Sequence, residues 1–391
     1  MPLRAGCSDV SLPAMNILAG AVTREKPPFR AEHIGSLLRP KGLLHERERF
    51  SRGEISRAEL TAAEDSAISD ALALQERLGL RFATDGEFRR RSYHSFFYQQ
   101  LGELSIDTVA GVDAKGGGAG RGQQPTALIK SRVSWAHAIN VADFNFLKSR
   151  TRLLPKITIP GPCALHFRGG DAAVLAHAYH DLAQFWDDIV AAFESELIAL
   201  VEAGCRYVQI DETAFAKFGD PDVQAALAAR GDDWSTLIDT YIAITNRVLR
   251  KAPKSLHIGM HLCRGNRGGH WHARGSYEDV AERLFNALEI PFYFLEFDTP
   301  RAGTFTPLRF VPDHKSIVLG LISSKTPVLE DKVVLRRRVE EASRHVALDR
   351  LAVSPQCGFA SVDTGNPMTP EVQEAKLRLV IELANDIWGE A

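Results

Sequence analysis

The stretch "SLHIGMHLCRGNRGGHWHARGSYEDVAERLFNALEIPFYFLEF", residues 255–297, decides the fold. An apolar run over 256–262 breaks into a polar loop, passes into SYEDVAERLFNAL, and gives way to a second apolar run, PFYFLEF. Ser276 with Asp279 three places on makes a capping-box-like start, and apolar residues follow at helical spacing, so the middle segment is read as a helix. Two short buried strands joined by a helix form a crossover unit, the building block of a parallel sheet.

The same pattern repeats on both sides. Further strands are predicted in PKITIPG (155–161), RYVQID (206–211), SIVLGL (316–321) and RLAVSP (350–355), and upstream in RAEHIGSL (30–37) and LRFATDGEF (80–88). Helices are predicted over 56–79, 173–203, 233–251, 276–288, 329–346 and 370–388, the first with Gly79 near its end. Eight strands alternating with helices predict the α/β class, as a closed (β/α)8 TIM barrel. An open doubly wound sheet fits less well, because no glycine-rich dinucleotide turn is present.

Residues 29–391 are expected to form this single barrel and 1–28 a flexible extension, whose apolar patch is interrupted by Asp9, Pro13 and Asn16. Residues 89–150 break the repeat. They carry a Gly-rich run at 111–122 without phosphate-loop spacing, which reads as a mobile excursion with a hairpin tip over the barrel mouth. Forty-seven basic residues against 49 acidic ones leave a net charge of -2, so no global field points to nucleic acid or an anionic membrane. The expected partners are small molecules or other protein chains, including further copies of this one. No apolar run approaches the roughly 20 residues of a membrane helix. Five scattered cysteines, Cys7, Cys163, Cys205, Cys263 and Cys357, fit a reducing, cytoplasmic compartment better than a disulfide framework.

In a barrel the carboxyl ends of the strands converge on one mouth. His261 and Cys263 lie two apart at such an end and so share a face; Glu296 and Cys357 end two other strands. All four are zinc-ligand types. Each alone reads equally as packing or as a charge pair, but together they fall at the ends of three strands, where a core residue would be Val or Ile. A second, acidic group ends two more strands: Asp85 with Glu87, and Asp211 with Glu212. Carboxylates there can receive an ammonium group or move protons, or can form surface ion pairs with Arg89 or Arg90.

In order, HIGS, DGEFRR, QIDE, H-L-C, LEFD and SPQCGFAS resemble the catalytic half of cobalamin-independent methionine synthase, and especially its single-barrel relatives, from about residue 29 onward. The resemblance implies a methyltransferase using Zn2+ held by His261, Cys263, Glu296 and Cys357, acting on homocysteine and a methyl donor to give methionine. It places the amino acid carboxylate on Ile34, Gly35 and Ser36 and the ammonium on Glu87 and Asp211. The sequence departs from the family at two places. Lys325, in GLISSKTP, stands where the family has a proton-transferring His, and PGPCALHFRGG lacks the Trp that packs on folate. The donor, of 5-methyltetrahydrofolate type or another, is therefore left open, and Lys325, Asp85 or a water are the candidates for protonating the leaving group. Alternatives are a zinc thiol alkyltransferase acting on another electrophile such as an epoxide, a metal-free decarboxylase on the related porphyrinogen decarboxylase barrel, and a non-enzymatic protein with structural zinc.

Overall fold

The computed structural model describes residues 29–108 and 125–391. Nine strands are present among them. β1 (Phe82–Ala83), β4 (Leu154–Pro160), β5 (Tyr207–Asp211), β6 (His257–Leu262), β7 (Phe292–Glu296), β8 (Ser316–Ile322) and β9 (Leu351–Pro355) form one curled parallel sheet in chain order. β5, β7, β8 and β9 are buried along their whole length, as a parallel sheet with both faces covered requires. The crossover unit at 255–297 is observed as β6, the helix Glu278–Ala287 and β7. Its helix starts one turn-position later than expected: Ser276 Oγ accepts from the Glu278 amide at 3.2 Å, outside the cap proper.

The eighth strand position is where structure and expectation part. Only Ala31 of the segment 30–37 makes a parallel bridge, to Val353 of β9, with Glu32 N to Val353 O and Val353 N to Arg30 O both at 2.9 Å. Toward β1 the segment is tied by single bonds, Leu37 N to Gly86 O at 3.0 Å and Thr84 Oγ1 to Gly35 O at 2.7 Å. Side chains do the rest. Lys156 Nζ on β4 meets Glu32 Oε2 at 3.1 Å and His33 O at 2.7 Å, and Tyr207 OH on β5 meets Glu32 Oε1 at 2.8 Å. The ammonium is also ringed by Phe82, Tyr207 and Phe294. This ion pair has no solvent exposure, so its value lies in fixing the first segment across the interior.

The excursion contains an antiparallel hairpin, β2 (Leu104–Thr108) with β3 (Pro125–Ile129), followed by a helix, Val141–Arg150. The Gly-rich run at 111–122 and the extension 1–28 lie outside the described residues. The helix expected over 173–203 is two helices, Ala164–Leu175 and Leu182–Glu202, the second capped by the Asp181 carboxylate on Ala183 N at 2.9 Å. Among the described residues no helix is long and apolar enough to cross a membrane.

Candidate active site

Parallel pairing brings the strand ends into line: Asp211, the last residue of β5, is the register partner of His261 on β6. Cys263 follows β6 by one residue, and Cys357 follows β9 by two. The His261, Cys263 and Cys357 donor atoms all lie within 4.8 Å of one another, with the two sulfurs 3.8 Å apart, and all three side chains are buried. The contact with Cys263 outweighs burial and holds Cys357 well below the ordinary thiol range, with His261 adding to the effect. The same contact and burial push Cys263 up.

Two observations test whether this group suits a metal. Both ring nitrogens of His261 are buried without a hydrogen-bond partner, which is costly unless something else meets them. One imidazole and two sulfurs at this spacing are the donor types of a zinc site that keeps an open position. The residues fit.

Glu296, the fourth expected ligand, lies outside the group. Its Oε1 accepts from Lys325 Nζ at 3.0 Å and from Arg301, and its Oε2 from the Arg264 amide at 2.6 Å. Burial opposes its ionisation, but Lys325, Arg301 and Arg264 outweigh it and hold the carboxylate well below the usual range.

A cleft with about 500 Å³ of empty space, part of it open to solvent, runs past the sulfur pair. Ile34, Ser36, Glu87 and Asp211 line it together with His261, Cys263 and Cys357. Gly35 lies just behind: its φ is +134°, and a Cβ there would meet Thr158 Cγ2 at 2.7 Å and Glu87 Oε1 at 2.9 Å, so only glycine fits. Glu87 sits at φ 60°, a left-handed conformation unusual for a side-chain-bearing residue. That turn is held from behind by Asp85 Oδ1 on the Glu87 amide at 2.8 Å and by Arg39 Nη2 on the Glu87 carbonyl at 2.7 Å. Glu87 Oε1 accepts from Thr158 Oγ1 at 2.9 Å, while Oε2 is buried without a partner. Burial raises Glu87, and raises Asp211 to about 7 with Glu87 contributing in the same sense.

Besides Gly35 and Glu296, three more expected residues do not line the cleft. Asp85 faces the backbone of Glu87, Lys325 is engaged by Glu296 and Asp298, and Glu212 turns to the amides of Cys163 and Ala214. Conversely, Tyr93, Arg168, Lys217, Asn266 and His272 line it and were not anticipated. All come from the connections that follow strands, which form the mouth of such folds. Arg168 belongs to the PGPCALHFRGG segment that lacks the expected Trp.

The sequence profile of the cobalamin-independent methionine synthase catalytic domain matches residues 29–385. The chain belongs to this family. Within it, the chain is 37% identical over 376 residues to the uncharacterized protein YxjH of Bacillus subtilis, covering 95% of this chain and 98% of that one. It is also similar to the 5-methyltetrahydropteroyltriglutamate–homocysteine methyltransferase of Bifidobacterium animalis, at 25% identity over 88% of this chain but only 42% of that longer protein. Among solved structures, a putative vitamin-B12 independent methionine synthase from Listeria monocytogenes is 34% identical with a TM-score of 0.71, over 93% of this chain and 99% of the other. A B12-independent methionine synthase from Shewanella, solved with selenomethionine, shares the fold at 20% identity and a TM-score of 0.66, over 93% and 94%.

Proposed function

We propose that the chain is a zinc-dependent methyltransferase that transfers a methyl group to the thiol of homocysteine, giving methionine, on a closed (β/α)8 barrel whose first strand is the segment 30–37. The observation that carries this reading is the buried His261–Cys263–Cys357 group, with its unpartnered imidazole, opening onto the same cleft as the Glu87 and Asp211 carboxylates. The metal would be held by His261, Cys263 and Cys357, with Glu296 the fourth family ligand. When bound, zinc supplies a deprotonated, positioned thiol at neutral pH, where a free thiol of pKa about 8.5 is mostly protonated.

The chain's own residues do the rest. Glu87 and Asp211 receive the ammonium, and the partnerless Glu87 Oε2 gives it a buried acceptor. Ser36 and the backbone of Ile34–Ser36 hold the carboxylate. The sulfur then forms its bond to the methyl carbon as the donor's bond to that carbon breaks, and the leaving group takes up a proton. Of the two side chains proposed as its source, Lys325 is the better placed, its ammonium being within electrostatic reach of Cys357.

The test is zinc content by elemental analysis together with methionine formation from homocysteine across a panel of methyl donors. Stoichiometric zinc and homocysteine-dependent turnover are expected. Full activity after removal of zinc by a chelator would refute the reading.

A further inference from the structure

The cleft is polarised. One part of its lining carries the Glu87 and Asp211 carboxylates; another carries Arg168, Lys217 and His272, from the connections after β4, β5 and β6. Arg168 lies in the helix Ala164–Leu175 and Lys217 ends the short helix Ala214–Lys217. His272 packs on the backbone of Gly265, where a Cβ would meet its ring at 2.5 Å. The three gather around one point: His94 is held well below its ordinary range by burial first and then by Arg168, Lys217 and His272. Tyr93 joins this group to the sulfur pair, because its hydroxyl bonds to Arg168 and Thr213 and lies in the field of Cys263.

The acceptor has no use for these cations. Its ammonium goes to Glu87 and Asp211 and its carboxylate to Ile34–Ser36, so the basic part of the lining is left to the second substrate. Glu212 feels both Lys217 and Arg168, but its oxygens are spent on the amides of Cys163 and Ala214. Guanidinium and ammonium groups are the standard partners of carboxylate and phosphate, and a cleft lined by one sign of charge concentrates the other. Arg168 also belongs to the segment without the expected Trp, so that segment offers the donor a charge in place of a ring face.

We propose that Arg168 and Lys217, with His272, seat an anionic group of the methyl donor, a carboxylate or a phosphate, so that the cleft selects anionic donors over cationic sulfonium or ammonium ones. This rests on the methyltransferase reading above and deepens it by naming the donor's chemistry. The acceptor sulfur's electron pair forms the new sulfur–carbon bond, and the pair of the old bond leaves on the donor atom. Departing from an uncharged methyl-bearing atom, that pair creates negative charge, which neighbouring cations stabilise until a proton arrives; departing from a sulfonium, it leaves a neutral group that gains nothing from them.

The experiment uses the full zinc-loaded chain with homocysteine present. Titration calorimetry with inorganic phosphate, succinate and trimethylsulfonium compares the two anion chemistries with an onium, and whichever anion binds tighter identifies the group preferred. Trimethylsulfonium is expected to bind at least about tenfold more weakly than that anion. Arg168→Gln, at a half-buried position, is expected to weaken the anion by about tenfold or more, the size of one charge-assisted hydrogen bond, with Arg168→Lys recovering part of the loss and the Kd of homocysteine staying within about threefold. In turnover, the KM of the active donor should rise in Arg168→Gln while that of homocysteine does not. No binding of either anion, anion affinity unchanged in Arg168→Gln, an equal loss of homocysteine, or turnover supported only by an onium donor overturns this inference and leaves the methyltransferase reading standing. Failure to bind homocysteine or to transfer any methyl group to it overturns both.

Discussion

Glu87→Gln is the sharpest probe of how the acceptor is recognised. The substitution preserves length and the left-handed turn, keeps an acceptor for Thr158 Oγ1, and removes only the charge. A hydrogen bond to a charged group contributes about 1.5–3 kcal/mol. Arg90 lies 3.8 Å from Glu87 Oε1 and shares the negative charge, which puts the expectation in the lower half, about 1.5–2 kcal/mol, or roughly 10- to 30-fold in Kd. Titration calorimetry on the metal-loaded protein with homocysteine measures it. The control is 4-mercaptobutanoate, which is homocysteine without its amino group and is expected to lose less than about threefold, because it has nothing to offer the missing charge. Equal losses for the two ligands, with unchanged thermal unfolding, would refute the assignment of Glu87 to the ammonium.

Cys263→Ala and Cys357→Ala are each expected to abolish stoichiometric zinc after dialysis, and normal zinc content in both would remove the ligand set. Lys156→Met strands the buried Glu32 carboxylate and is expected to cost about 3–5 kcal/mol in urea unfolding, with Glu32→Gln/Lys156→Met recovering part of it; a loss under about 1 kcal/mol would mean the pair does not fix the first segment. His33, buried against Gln75, is pushed down to about 3 by burial and then by Lys156, so it stays neutral in the fold and gains a proton on unfolding below its ordinary value of 6.5. Its contribution is therefore complete above about pH 6.5 and lost as pH falls toward 3, at about 1.4 kcal/mol per pH unit; His33→Leu should flatten that slope of stability against pH, and an unchanged slope would show that another group carries it.

Seven of the eight predicted strands are present because buried apolar runs between helical patterns leave few other readings; β1 is the shortest, at two residues. RAEHIGSL has the same outward form, but Glu32 and His33 spend their side chains on Lys156, Tyr207 and Gln75 across the interior, and Gly35 leaves the strand region. Its position is legible in sequence; its lack of a ladder depends on partners 42 to 175 residues away. The helix Pro221–Arg230 carries its own signals, an Asp220 cap, proline at the start and Gly231 in the left-handed region at the end, yet it buries only Val223 and Leu227, too few apolar positions for a periodicity reading. The sulfur pair, His261, Glu87 and Asp211 were legible because polar side chains at strand ends interrupt an apolar rule. Arg168, Lys217 and His272 were not, because no spacing rule says how far a connection folds back over the mouth.

The partnerless Glu87 Oε2 also bears on which thiol the cleft accepts. Two carboxylates line it, and Glu87 adds to burial in raising the cost of ionising Asp211. A thiol without an amino group would leave Glu87 Oε2 as it is in the free protein, buried and unpaired, and would forgo the hydrogen bond that an ammonium adds. An α-amino thiol supplies the missing donor and relieves the repulsion in the same contact. The clamp thus favours an amino acid acceptor over a simple thiol even where the electrophile differs. For a zinc alkyltransferase acting on an epoxide with a non-amino thiol, the Glu87–Asp211 pair would have no charge to meet, whereas in the proposed methyl transfer to homocysteine it would orient the acceptor through its ammonium.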